Sequence, residues 1–128
     1  MIYLDSSVVL AHLFVEHRTL PNAAWQQPLI SSRLLEYEVW TRIHARHLAA
    51  SHGAEAKIIL GGIDFIELTP AVLARALEPF AVPVRTLDAL HLASIEFLRT
   101  RRSEILLASF DARLISAARA LGIPIYDC

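Results

Sequence analysis

A chain of 128 residues with 55% hydrophobic side chains can bury a sizeable core and has the size of one domain. Its formal net charge of −1 at pH 7 excludes a strongly basic protein that coats polyanions, but not an enzyme that touches nucleic acid at a small patch. A lone cysteine, Cys128, excludes an internal disulfide; no apolar run is long enough to span a bilayer and no signal peptide opens the chain, so it reads as soluble and cytoplasmic.

Met1-Ile2-Tyr3-Leu4 is a short apolar run that ends on Asp5-Ser6-Ser7. Apolar residues without alternation suit a strand covered on both faces, hence a central strand of a parallel sheet. Asp5 then sits at the strand's carboxyl end, where open α/β sheets hold their ligands, and Ser6 or Ser7 caps the next helix. That helix runs from Ser7 to about Glu16, and a second short one carries Trp25. Pro28 to Ser31 reads as a buried strand. Ser32 caps a helix with Leu34, Leu35, Val39 and Ile43 on its apolar side, broken at His52-Gly53. Ala54 to Leu60 is a further helix, stopped by Gly61-Gly62.

Ile63 to Leu68 is the next strand, and Thr69-Pro70 opens a helix that ends before Pro79. Thr86 to about Arg99 is the strongest helix, with Leu87, Leu90, His91, Ser94, Ile95 and Leu98 along one face. A basic turn, Arg101-Arg102-Ser103, leads to a strand at Ile105 to Ala108. Ser109 to Leu121 is helical, with Gly122 as its stop. Ile123 to Tyr126 is the last strand, placed at an edge by Pro124. Five apolar strands separated by helices imply a parallel sheet with helices on both faces.

The acids then stand out. Thr86-Leu87-Asp88-Ala89 and Ser109-Phe110-Asp111-Ala112 share a pattern of hydroxyl, apolar residue, Asp and Ala at a helix start. Each Asp suits an ordinary helix N-terminus. Jointly they suggest more, because Asp111 follows its strand as Asp5 follows the first. A fourth acid comes from the helix after the second strand, where Glu36 and Glu38 lie on different faces and periodicity does not choose between them. Ionised carboxylates about 5 Å apart repel by roughly 3 kcal/mol per pair at an effective dielectric near 20. Such a cluster must take up protons or bind a cation, and all-oxygen ligation suits Mg²⁺ or Mn²⁺. One or two such ions at a sheet's rim serve attack of water on a phosphodiester.

Asp5-Ser6-Ser7-Val8, Ser32 with Glu38-Val39-Trp40, Thr86 to Ala93, and Leu107 to Leu114 together resemble the PIN-domain nucleases. The length is similar to that of the VapC-type toxins of type II toxin–antitoxin modules. The resemblance covers residues 1–128 as a single PIN-like domain. It implies a three-layer α/β/α sandwich with a five-stranded parallel sheet in the order 3-2-1-4-5, and Mg²⁺-dependent (or Mn²⁺-dependent) cleavage of RNA. It implies that Asp5, Glu38, Asp88 and Asp111 are the catalytic and metal-binding acids, with Glu38 preferred over Glu36. It places Ser109 near the site as a contact to substrate, and makes Ser6 either a support behind the acids or a contact to substrate phosphate. It adds an antitoxin partner, a homodimer, and by analogy a folded or transfer RNA as substrate. The family's final unit often carries a further acid near Asp111; Ala112 and Arg113 stand there instead, which weakens any second metal position.

Arg85 precedes the Thr86 helix at the same rim and suits a phosphate contact as well as a structural role. His91 follows Asp88 by one turn but reads as a helix-packing residue, since the cluster is oxygen-based. His12, His17, His44, His47 and His52 read as surface residues, and Arg99, Arg101 and Arg102 as a solvated cluster at the far end of the Thr86 helix. Leu20, Trp25 and Trp40 suit either core packing or a subunit or antitoxin interface. Two rival functions remain: a phosphoryl-transfer or signalling domain with Asp5 as acceptor, and a non-catalytic binding module on the same fold. The first lacks a second Asp two residues after Asp5 and has only Lys57 as a lysine.

Overall fold

The computed structural model describes residues 1–102 and 104–127. Its sheet has four parallel strands, β1 (Ile2–Leu4), β2 (Leu29–Ser32), β3 (Asp64–Ile66) and β4 (Leu106–Ala108), in the order β3-β2-β1-β4. Ile2, Tyr3 and Leu4 have no exposed surface, as a strand covered on both faces requires. Alternate side chains of β1 feed opposite layers. Ile2 and Leu4 join Val8 and Val9 of α1 (Ser6–Leu13), and Leu35, Val39 and Ile43 of α3 (Arg33–Ala45). The short α2 (Asn22–Trp25) and α4 (Ala49–Gly61) back this layer, and Leu20, Trp25 and Trp40 pack into it. Tyr3 and Leu107 join Leu92 and Ile95 of α6 (Thr86–Arg99) and Leu114 and Ala118 of α7 (Ala112–Ala120). α5 (Pro70–Leu77) lies against α6. The result is an α/β/α sandwich.

The expected fifth strand is reduced to a single bridge between Leu107 and Ile125. The Pro124 carbonyl accepts from Leu107 N–H at 2.9 Å, and Tyr126 N–H donates to the Leu107 carbonyl at 2.8 Å. The segment takes the edge position expected beside β4, but Pro124 has no N–H and the pairing does not extend into a strand.

A second correction concerns the helix after β2. It breaks not at His52-Gly53 but at His47, whose φ of +55° is left-handed. Leu48 N–H reaches back to the Ile43 carbonyl at 3.0 Å and closes the turn. α4 then runs straight through His52 and Gly53. Gly53 is buried, and a Cβ on it would stand 3.4 Å from the Trp40 ring. That glycine permits close approach of α3 and α4 rather than ending a helix.

Other boundaries follow the sequence. Ser32 Oγ caps α3 through Leu34 N–H, Thr69 caps α5 with Pro70 in its first turn, and Gly122 stops α7 at φ +72°. Leu87, expected on the buried face of α6, is 46% exposed because its first turn projects beyond the packed layer into a cleft. Arg101 and Arg102 are exposed past the other end of α6; Ser103 of the expected basic turn and Cys128 lie outside the described residues. Among the described residues no helix is long and apolar enough to cross a membrane.

From β1 the chain builds the sheet in one direction through β2 and β3, then returns to place β4 on the other side of β1. The carboxyl ends of β1 and β4 therefore flank a topological switch point, where a crevice opens.

A left-handed histidine carries a Cβ penalty that glycine lacks. His47→Gly is expected to raise stability by about 0.5–1 kcal/mol after the greater freedom of the unfolded glycine is counted. Urea denaturation checks this; a lower midpoint would contradict the role assigned to His47.

Candidate active site

The crevice at the switch point is an open cleft of about 980 Å³. Asp5, Glu38, Asp88 and Asp111 all line it, together with Ser6 and Arg85. Each acid comes from a different place in the chain, and the fold brings all four to one rim.

Asp5 ends β1 and is itself the N-cap of α1, a role expected of Ser6 or Ser7. Its Oδ2 accepts from Ser7 Oγ at 2.6 Å, Ser109 Oγ at 2.9 Å and Ser7 N–H at 3.4 Å. Among the described residues all hydrogen bonds of this side chain fall on Oδ2. Asp5 is only 6% exposed, so it is a rigid anchor. Ser7 Oγ also accepts from Phe110 N–H, and Ser109 Oγ from Asp111 N–H, each at 2.9 Å. Two serines thus stitch the end of β1 to the loop after β4.

Asp111, not Ser109, caps α7. Its Oδ1 accepts from Arg113 and Leu114 N–H groups, and its Oδ2 is left to face Arg85. Asp88 lies in the first turn of α6, whose N-cap is Arg85; Thr86 does not cap. The Arg85 guanidinium reaches both acids, at 3.7 Å from Asp88 Oδ2 and 3.5 Å from Asp111 Oδ2. Burial, then the charge of Asp111, and more weakly that of Asp5, hold the Asp88 carboxyl above the usual Asp range; Arg85 offsets only part of this.

α3 turns Glu38 into the cleft and Glu36 away from it. Glu36 pairs with Arg33 at 3.4 Å and lines a separate hollow with Lys57. Glu38 Oε1 lies 2.6 Å from His91 Nε2, and His91 Nδ1 lies 2.7 Å from Tyr3 Oη. Burial works against the imidazolium, but the hydrogen bond and charge of Glu38, with Asp5 and Asp88, outweigh it and raise the His91 pKa. The hydrogen-bonding roles of Tyr3 and His91 were not legible at the sequence level. The only signal was that His91 falls one turn from Asp88 on a face that is otherwise apolar but for Ser94. The ring does pack, edge-on against Tyr3, but both its nitrogens are engaged.

The crowded rim also differs from the expected ready-made cage. Among the described residues no three His, Cys, Asp or Glu side chains close tightly enough to hold a metal ion by themselves. Internal partners supply part of the compensation expected of a cation: two hydroxyls on Asp5, a guanidinium on Asp88 and Asp111, an imidazole on Glu38. The donor set nevertheless fits a hard divalent ion. All four candidates are carboxylates, Asp5 keeps Oδ1 clear of the hydrogen bonds above, and Asp88 is raised first by burial and then by the negative charge of Asp111 beside it.

A model of the PIN domain family matches residues 2–124. The chain is also 29% identical, over 129 aligned positions, to Ribonuclease VapC47 of Mycobacterium tuberculosis (strain CDC 1551 / Oshkosh), covering 95% of this chain and 93% of that relative. With the match running from β1 through all four acids of the cleft to Pro124, the chain belongs to the PIN domain family.

Proposed function

We propose that this chain is a divalent-metal-dependent endoribonuclease and acts as the toxin of a toxin–antitoxin pair. The observation that carries the reading is the set of four carboxylates, drawn from four elements, on the wall of one cleft at the switch point. Similarity to a relative named as a ribonuclease supports it. From the resemblance of the sequence to VapC-type toxins, we take the substrate to be a folded RNA such as a transfer RNA, the partner a small antitoxin, and the toxin a homodimer working in the cytoplasm.

Asp5, Asp88 and Asp111, with Glu38 completing the set, would hold Mg²⁺ or Mn²⁺. When bound, the ion supplies Lewis acidity that favours ionisation of water and stabilises the leaving oxygen. Asp5 gives a fixed carboxylate whose orientation is set by Ser7 and Ser109. Ser109 is only 2% exposed and already bonded to Asp5 and Asp111, so it orients these acids rather than touching RNA. Ser6 lines the cleft wall, as Ser7 and Thr86 also do, and is the hydroxyl assigned to substrate phosphate. Arg85, 62% exposed at its side chain, neutralises Asp88 and Asp111 in the free protein and turns to a substrate phosphate when a cation takes its place.

The rival in which Asp5 accepts a phosphoryl group fits less well. Asp5 is buried under three donors on one oxygen, and Lys57 lines a different hollow. A non-catalytic module would not need four acids on one wall.

Asp5→Asn and Asp88→Asn are each expected to lower Mg²⁺-dependent RNA cleavage by about 100-fold or more while the fold is kept. Cleavage assays with and without Mg²⁺ check this; equal rates in wild type and both variants, with or without the ion, would sink the nuclease reading.

Asp88 carries a stability cost of known sign. Its carboxyl is raised in the folded state, so its ionisation disfavours folding above the folded pKa, and the cost vanishes below the ordinary Asp value. Asp88→Asn is therefore expected to raise the metal-free Tm at pH 7 by about 1–3 °C, and to leave it unchanged near pH 3. Saturating Mg²⁺ should raise the wild-type Tm and leave the variant's nearly unmoved. Calorimetric scans at both pH values check the sign.

Co-expression with the product of the adjacent gene is expected to yield a stable complex without cleavage activity. Separate elution of the two chains, with activity intact, would remove the toxin role and leave the nuclease.

A further inference from the structure

We propose that His91 is a positioning residue for the Glu38 carboxylate, locked by Tyr3, and that this buried relay sets the cation affinity of the cleft. The inference rests on the metal-dependent reading above and adds to it a residue from outside the acid set.

Glu38 stands in the middle of α3 on a long side chain with freedom about three bonds. Among the described residues its one hydrogen bond is to His91, at 2.6 Å. His91 is 1% exposed and cannot swing out to find another partner. Its second nitrogen meets Tyr3 Oη at 2.7 Å, and Tyr3 has no exposed surface. Tyr3 Oη in turn accepts the backbone N–H of Ser32 at 3.2 Å. Ser32 is the N-cap of α3, the helix that carries Glu38. The path from Ser32 through Tyr3 and His91 to Glu38 therefore leaves α3 and returns to it as a closed loop.

Chemistry fixes the direction at the end that matters. An ionised carboxylate only accepts, so Nε2 carries the proton and donates to Glu38. Nδ1 is held by a hydroxyl that burial keeps protonated. The ring cannot rotate without breaking contacts at both edges. The loop also ties together β1, α3 and α6, which carry Asp5, Glu38 and Asp88. Three acids from three elements are thus held in mutual register before any cation arrives. Outer hydrogen bonds of this type commonly change metal affinity by about 10–100-fold.

The test compares His91→Leu with His91→Gln in the full chain. Leucine fills the space and donates nothing, whereas glutamine keeps an N–H for Glu38. Mn²⁺ binding is read by calorimetry, and folding by circular dichroism. His91→Leu is expected to stay folded and bind Mn²⁺ about 10–100-fold more weakly; His91→Gln should recover most of that loss. A merely structural histidine would instead lower Tm without separating the two variants in affinity. A folded His91→Leu protein with wild-type Mn²⁺ affinity would overturn the proposal.

Ring ¹⁵N shifts of the metal-free wild type give a second readout that needs neither variant. A protonated Nε2, with a resonance that moves in Glu38→Gln, is the expected result. An unprotonated Nε2 overturns the proposal even if His91→Leu does not fold. Wild-type protein that binds no Mn²⁺ while keeping the Nε2 proton bonded to Glu38 would instead remove the metal-dependent reading and the affinity role built on it, leaving only the bond.

Discussion

Negative charge crowded at one rim is the constraint around which the molecule is arranged. Four of the five carboxylates that line the cleft are the candidate acids, Glu16 being the fifth, and each of the four has its own form of compensation. Asp5 takes hydroxyl and backbone donors, Asp111 takes the N–H groups of α7, and Glu38 takes an imidazole. Asp88 is compensated least. Burial and the charge of Asp111 raise its carboxyl, and Arg85, at 3.7 Å, offsets only part of this. The rim is thus partly neutralised from within, and Asp88, buried beside Asp111, is where the remaining cost of ionisation is greatest.

Helix capping and site chemistry use the same residues here. Asp5 and Asp111 are both N-caps, and each keeps one oxygen out of the cap. Asp111 caps with Oδ1 and presents Oδ2 to Arg85; Asp5 takes its donors on Oδ2. An ordinary helix N-terminus and a cation site are therefore compatible descriptions of one carboxylate. Capping also removes rotamer freedom, which a cation would otherwise have to overcome.

Rigidity comes from links between elements that are distant in the chain. Ser7 and Ser109 join the ends of β1 and β4, and Tyr3 and His91 join β1 to α6 and α3. These polar links are largely buried and lie directly behind the acids. They hold the rim while the apolar layers on both sides of the sheet hold the sandwich. Open, exposed Arg85 is the exception, and it is the group suited to move.

Much of this was legible in the residues themselves. An apolar run ending in Asp5, Ser32 before a periodic helix, and Thr69-Pro70 each encode a local choice, because caps and turns depend on neighbours within one turn. The repeated hydroxyl, apolar, Asp, Ala pattern marked Asp88 and Asp111 for the same reason. What lay outside local pattern was decided by packing. Gly53 looked like a stop until Trp40 lay across it, and His47 took the turn instead. Pro124 left the fifth strand as one bridge. Glu38 and Glu36 were equal in periodicity; the docking of α3 on the sheet turned one toward His91 and the other toward Arg33. Tyr3 and His91 stand 88 residues apart, and no spacing rule links a strand residue to a helix so distant. Local backbone chemistry is written along the chain, whereas pairings between remote side chains exist only once the layers close.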